Sequence, residues 1–73
     1  QETTIGMLLP QAGEVQISIY DLAGKIQMKE RVEMKKGYNE YQISKAQINQ
    51  AGVYYYQIDY QSNTVTKKMI ITE

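Results

Sequence analysis

The side chains able to do chemistry are few, and their kinds exclude much. Neither histidine nor cysteine occurs among the 73 residues. That removes the commonest general base, the thiol nucleophile, and every nitrogen or sulfur metal ligand. Acid–base work would fall to eight carboxylates: Glu2, Glu14, Asp21, Glu30, Glu33, Glu40, Asp59 and Glu73. None of them form a spaced set such as a calcium-binding loop. Asp21 stands between an alternating run and Gly24, which is the position of a turn former. The chain is expected to be no enzyme, with no catalytic residue, no metal and no cofactor.

Aromatic rings and paired lysines are the remaining chemical resources. Four of the seven tyrosines crowd the stretch Gly52–Tyr60. Exposed aromatic faces stack on sugars and other planar apolar surfaces. Alternate residues of a strand share a face, so Tyr54, Tyr56, Ile58 and Tyr60 point one way and Val53, Tyr55, Gln57 and Asp59 the other. The first set reads as core, with Tyr54 placed to form the corner that pins a preceding loop in immunoglobulin-like sandwiches. Tyr55 is the ring left for solvent. Lys67-Lys68 has two readings. Lysines guard an exposed edge strand against pairing with another chain, or a receptor reads this strand through its free edge and carboxylate.

The elements that must position these groups are strands. Val15, Ile17 and Ile19 alternate with Gln16, Ser18 and Tyr20, the pattern of a half-buried strand. Thr3, Ile5 and Met7 alternate likewise before the Pro10–Gly13 turn. Asp21-Leu22-Ala23-Gly24 closes a tight hairpin, because Asp bonds its own backbone and Gly supplies a positive φ. Lys25 to Glu33 returns with Ile26 and Met28 inward and Lys29 and Arg31 outward. Glu30 then falls inward too, so either a bulge resets the phase before Val32 or the strand has left the core. Lys35-Lys36-Gly37 turns into a short strand with Tyr41 and Ile43. Ser44–Gln50 lacks the period, and Ile48 plugs the core from a loop or a single helical turn. Gly52 opens the tyrosine strand, Gln61-Ser62-Asn63 turns, and a β-branched strand runs to the last residues. Termini fray unless something holds them, so that strand is expected to be structural or to be read by a partner.

Composition narrows the class further. A chain of 73 residues is one domain with a thin core. Without disulfides or metal, it stands on packing and pairing alone or leans on a neighbour, as a module cut from a longer protein would. Eight basic residues balance eight acidic ones, which leaves no field for nucleic acid or an anionic membrane. No apolar run reaches the ~20 residues of a membrane span. The expected fold is an all-β, immunoglobulin-like antiparallel sandwich of short strands.

Three segments together resemble a known family. Leu9-Pro10-Gln11-Ala12-Gly13-Glu14-Val15 leads into Ile17-Ser18-Ile19-Tyr20-Asp21-Leu22-Ala23-Gly24-Lys25. Gly52-Val53-Tyr54-Tyr55-Tyr56 follows the loop plugged by Ile48, and Thr66-Lys67-Lys68-Met69-Ile70-Ile71 closes the chain. Their order and spacing resemble the C-terminal sorting domain, type A, of the type IX (Por) secretion system of Bacteroidetes. The resemblance covers nearly the whole chain. The strand–turn pattern also occurs in immunoglobulin-like modules of flagellar hook-capping proteins, and the Lys-Lys-Met-Ile-Ile ending favours the sorting domain. Members usually begin with an Asn-Pro element and a short strand that do not precede Gln1 here, which leaves the partner of the first strand open.

The resemblance implies a sandwich of about seven strands that serves as a secretion signal at the end of a larger secreted precursor, carried through the periplasm for release or attachment at the cell surface. Its implied partners are the outer-membrane translocon, a cell-surface sortase-like peptidase that removes the domain, and the N-terminal cargo domains. Carried over residue by residue, recognition falls on Lys67, Lys68, Met69, Ile70 and Ile71. Asp21, Gly24, Lys25, Gly52, Val53 and Tyr54 match the structural motifs. The competing reading is a structural or adhesive module that packs on a neighbour or binds glycan, and self-association through an edge strand stays open.

Overall fold

The computed structural model describes residues 2–44, 47–48 and 50–72, with only the backbone described at 2 and 44. Glu73 with its terminal carboxylate, and part of the Ser44–Gln50 segment, lie outside the described residues. Six strands form: β1 (Glu2–Leu9), β2 (Gly13–Asp21), β3 (Ile26–Met34), β4 (Gly37–Ser44), β5 (Gly52–Tyr60) and β6 (Asn63–Ile71). They make two antiparallel sheets, β1-β4 and β3-β2-β5-β6. This is the expected all-β sandwich, with six strands among the described residues where about seven were expected. The chain changes sheet after β1, after β3 and after β4, so each sheet is tied to the other by sequence.

Period-two alternation builds the core. Strand β2 is flanked by strands on both sides, and its Val15, Ile17 and Ile19 are all 0% exposed. Ile5 and Leu9 of β1 and Ile43 of β4 belong to the same buried cluster, with Ile58, Met69 and Ile71 of the larger sheet. Ile48 joins them from the loop between β4 and β5, as a plug from non-helical chain. Each such side chain contributes roughly 1.5–3 kcal/mol on full burial.

Two tyrosines pin the loops at the ends of β5. The Tyr54 hydroxyl donates to the carbonyl of Gln50 at 2.7 Å, the corner bond expected of it. The Tyr60 hydroxyl donates to the carbonyl of Gln11 at 2.7 Å, tying β5 to the turn between β1 and β2. Its ring edge lies where a Cβ on Gly13 would come within 3.3 Å.

Strand β3 departs from the expected phase. Its pairing with β2 runs unbroken from Gly13↔Met34 to Ile19↔Met28, then shifts so that Tyr20 faces Ile26. No bulge separates Glu30 from Val32, and the strand has not left the core, because Met34 is buried. Glu30 does sit on the inner side, where it accepts a hydrogen bond from the Tyr41 hydroxyl of the facing sheet. It is tolerated there because β3 is an edge strand whose rim stays wet. The bulge lies instead at the hairpin end, and it corrects the inward placement of Ile26. Tyr20 is on the outer face, so the residue opposite it is as well, and Ile26 is 45% exposed.

Candidate functional site

The residues singled out in three separate segments converge on one end of the larger sheet. Register sets Asp21 beside Tyr54, Tyr54 beside Met69, and Gly52 beside Ile71. The hairpin between β2 and β3, the start of β5 and the end of β6 are therefore neighbours.

Asp21 organises its turn with every acceptor it has. One carboxylate oxygen, Oδ1, accepts from the backbone N–H groups of Ala23 at 3.0 Å and Lys25 at 2.9 Å. The other accepts from the Gln27 side chain at 3.2 Å, and the Asp21 carbonyl from the Gly24 N–H at 3.0 Å. Gly24 takes a φ of 88°, a left-handed conformation that costs glycine least. Asp21 is a turn former, as its sequence position implied. Gly52, at φ 154°, opens β5 in a conformation that side chains resist.

Strand β6 pairs with β5 along its whole length, from Tyr60↔Asn63 to Gly52↔Ile71, and its other edge is unpaired within the sheet. Alternation divides Lys67–Ile71 into two kinds of residue. Met69 and Ile71 face inward and are only 6% and 3% exposed, so they belong to the core. Lys68 and Ile70 face outward, Ile70 at 63% exposure. Lys67 is inward by register, opposite Tyr56, yet exposed, because the first part of β6, up to Lys67, borders an open groove. The uncovered strip is a groove of about 320 Å³ between Gly6–Leu9 of β1, with the following Pro10, and Tyr56, Ile58, Tyr60, Val65 and Lys67. An inward-pointing charge is a known guard on an edge strand. Both edges of the larger sheet carry one, Glu30 in β3 and Lys67 in β6. The adjacent lysines thus serve different surfaces, one guarding the groove and one standing on the outer face.

The outer face also carries a polar cluster. The Asp59 carboxylate accepts from Thr64 Oγ1 at 2.7 Å and from the Gln57 amide at 3.1 Å, and these bonds hold its pKa below the usual carboxylate value. On the smaller sheet, the Tyr38 hydroxyl donates to Glu40 at 3.0 Å, which raises the phenol pKa. Among the described residues no group of acidic side chains is disposed to hold a metal ion. No helix among them is long and apolar enough to cross a membrane.

Tyr20 and Ile26, the latter expected inward, border this region on the outer face. Alternation gave no signal of this, because Ile26 is in phase with Met28 and Val32 in sequence and only the register shift turns it outward. Comparison with known proteins found no match among curated proteins and none among solved structures. A family model described as a secretion system C-terminal sorting domain matches residues 2–72. With that match spanning nearly all of a two-sheet fold, the chain belongs to the family of secretion system C-terminal sorting domains, the sorting signals of type IX secretion.

Proposed function

We propose that this domain directs an attached cargo protein through the type IX machinery of a Bacteroidetes cell and across its outer membrane, and that β6 is the part the translocon reads. The observation that carries the reading is the division of β6. Met69 and Ile71 hold the strand in the core, while Lys67, Lys68 and Ile70 remain accessible along an edge without a partner strand. A strand fixed in this way presents its side chains at low entropic cost, which favours recognition. In this reading residues 1–73 are a single module of a larger secreted protein. The translocon binds it, a surface peptidase of the sortase-like kind removes it, and it performs no chemistry of its own.

The test fuses the chain to the C-terminus of a neutral periplasmic reporter in a type IX-competent bacterium. The reporter should reach the surface or medium in the parent strain and stay in the periplasm of a translocon mutant. An identical distribution in both strains refutes the reading, and retention accompanied by glycan binding puts the adhesive alternative in its place.

A further inference from the structure

The outer face of the larger sheet is divided into two halves of opposite character. Cross-strand register lines up Ile26, Tyr20, Tyr55 and Lys68 as one row across all four strands. Beside it, toward the end that holds the Asp21 turn, Val53 pairs with Ile70. The next rows in the other direction are Lys29, Ser18, Gln57 and Thr66, then Arg31, Gln16, Asp59 and Thr64. One half is apolar with a single cation, and the other is wholly polar. With strands about 4.8 Å apart, the apolar row is about 15 Å long.

Three observations separate this half from a casual scatter of exposed side chains. First, Ile26 reaches it only through the register shift at Tyr20, and bulges re-aim side chains in this way. Had the pairing stayed in phase, Gln27 would face Tyr20 and Ile26 would turn inward. Second, Ile26, Tyr55 and Ile70 are 45%, 39% and 63% exposed, and Tyr20 stands between Ile26 and Tyr55, so the row is continuous across the sheet rather than a set of isolated residues. Third, Lys68 is the one cation of the row and points outward, whereas Lys67 supplies the inward-pointing charge of that edge. No carboxylate stands in either apolar row. Among the described residues the nearest outer-face acid, Asp59, lies two rows away and is engaged by Thr64 and Gln57.

We infer that this half-face, built around Tyr20, Ile26, Tyr55, Lys68 and Ile70, docks a folded protein of the export machinery whose surface offers an apolar centre and a carboxylate for Lys68. This rests on the sorting reading and deepens it. The machinery then reads a composite of four folded strands, not the last strand as a linear peptide. Charge complementarity selects the occupant. A second copy would bring no carboxylate to Lys68, because the patch has none to exchange. A lipid surface would favour several cations around the apolar centre, and the two rows hold one.

The experiment uses the reporter fusion in the type IX-competent strain. Ile26→Ser, Tyr55→Ser and Lys68→Glu are compared with Arg31→Ala and Thr66→Ala in the polar half. Ile26 decides most, because it lies on β3, at the opposite edge of the sheet from β6 and far from it in sequence. Each apolar-half variant should lower export by roughly five- to tenfold, the effect of losing a central interface residue. The polar-half variants should export normally. Thermal melting of each purified chain should stay within about 3 °C of the parent, since exposed substitutions seldom change stability much; a variant that melts lower is replaced by Ile26→Thr or Tyr55→Gln. If the parent fusion is exported but Ile26→Ser and Tyr55→Ser pass equally well, the composite surface is refuted and the sorting function stands. If the parent fusion is not exported, the sorting reading itself fails. Binding of the parent chain to anionic lipid vesicles, or a dimer abolished by Tyr55→Ser, would also overturn the assignment of a protein partner from the machinery.

Discussion

Replacing Tyr60 by Phe removes one hydroxyl and nothing else, which makes it a clean measure of how the loops are held. That hydroxyl donates to the Gln11 carbonyl at 2.7 Å and joins residues 49 apart in sequence. Gln11 is exposed, so its carbonyl finds water once the phenol is gone. The cost should then be the net worth of the bond, about 1 kcal/mol, rather than the full penalty of an orphaned acceptor. For a domain of this size, 1 kcal/mol corresponds to a fall in Tm of about 4–8 °C. Total stability at ordinary values per residue is roughly 4–11 kcal/mol, so the variant should remain folded. Tyr54→Phe removes the equivalent bond to Gln50, also an exposed residue, and should cost a similar amount. The two tyrosines are six residues apart on one strand, about 20 Å, beyond the range at which substitutions usually couple. The double variant should therefore lose about 8–16 °C if the effects add. Thermal unfolding followed by far-ultraviolet circular dichroism reads all three. A loss under about 1 °C for Tyr60→Phe would refute the anchoring argument. Coupling of more than about 0.5 kcal/mol would show that the two ends of β5 are not independent.

Other expectations are simpler to state. Thr64 is the main cause of the low Asp59 pKa. A carboxyl whose folded pKa is depressed favours folding above its unfolded pKa of about 3.9, and that contribution is lost as the pH falls through the lower folded value. The stability deficit of Thr64→Val, measured by urea unfolding, should therefore be largest near neutrality and shrink below about pH 4. Glu40→Gln removes the carboxylate that raises the Tyr38 pKa, so carbon NMR of that ring should show it titrating at lower pH than in the parent. Met69→Ala should cost about 2–5 kcal/mol because the side chain is 6% exposed, whereas Ile70→Ala, one residue away, should cost little; chemical denaturation distinguishes them.

Much of this architecture was legible from alternation alone. Val15, Ile17 and Ile19 announced the central strand because a strand covered on its inner face by another sheet must repeat its apolar residues every second position. The corner role of Tyr54 followed from its place near the start of a late strand. Ile26 was misplaced because a bulge changes phase by one residue, and nothing in a two-residue period reveals where that happens. Glu30 was puzzling only until β3 was seen to be an edge strand, and edge status is a property of the sheet. The Tyr60–Gln11 bond spans nearly the whole domain and has no local signature. Of the site, the separation of Met69 and Ile71 from Lys68 and Ile70 could be read by parity. The row that joins Lys68 to Tyr55, Tyr20 and Ile26 required the register of three strand pairs.

The burial of Met69 and Ile71 has a consequence for the cell that makes this chain. Ribosomes deliver β6 after every other strand described here, so the sandwich cannot close until synthesis of the domain is finished. A product cut short before Met69 lacks part of the core as well as Lys68 and Ile70. With β6 as the proposed address, address and integrity are tested in one act, and an incomplete chain arrives at the exit without a valid stamp.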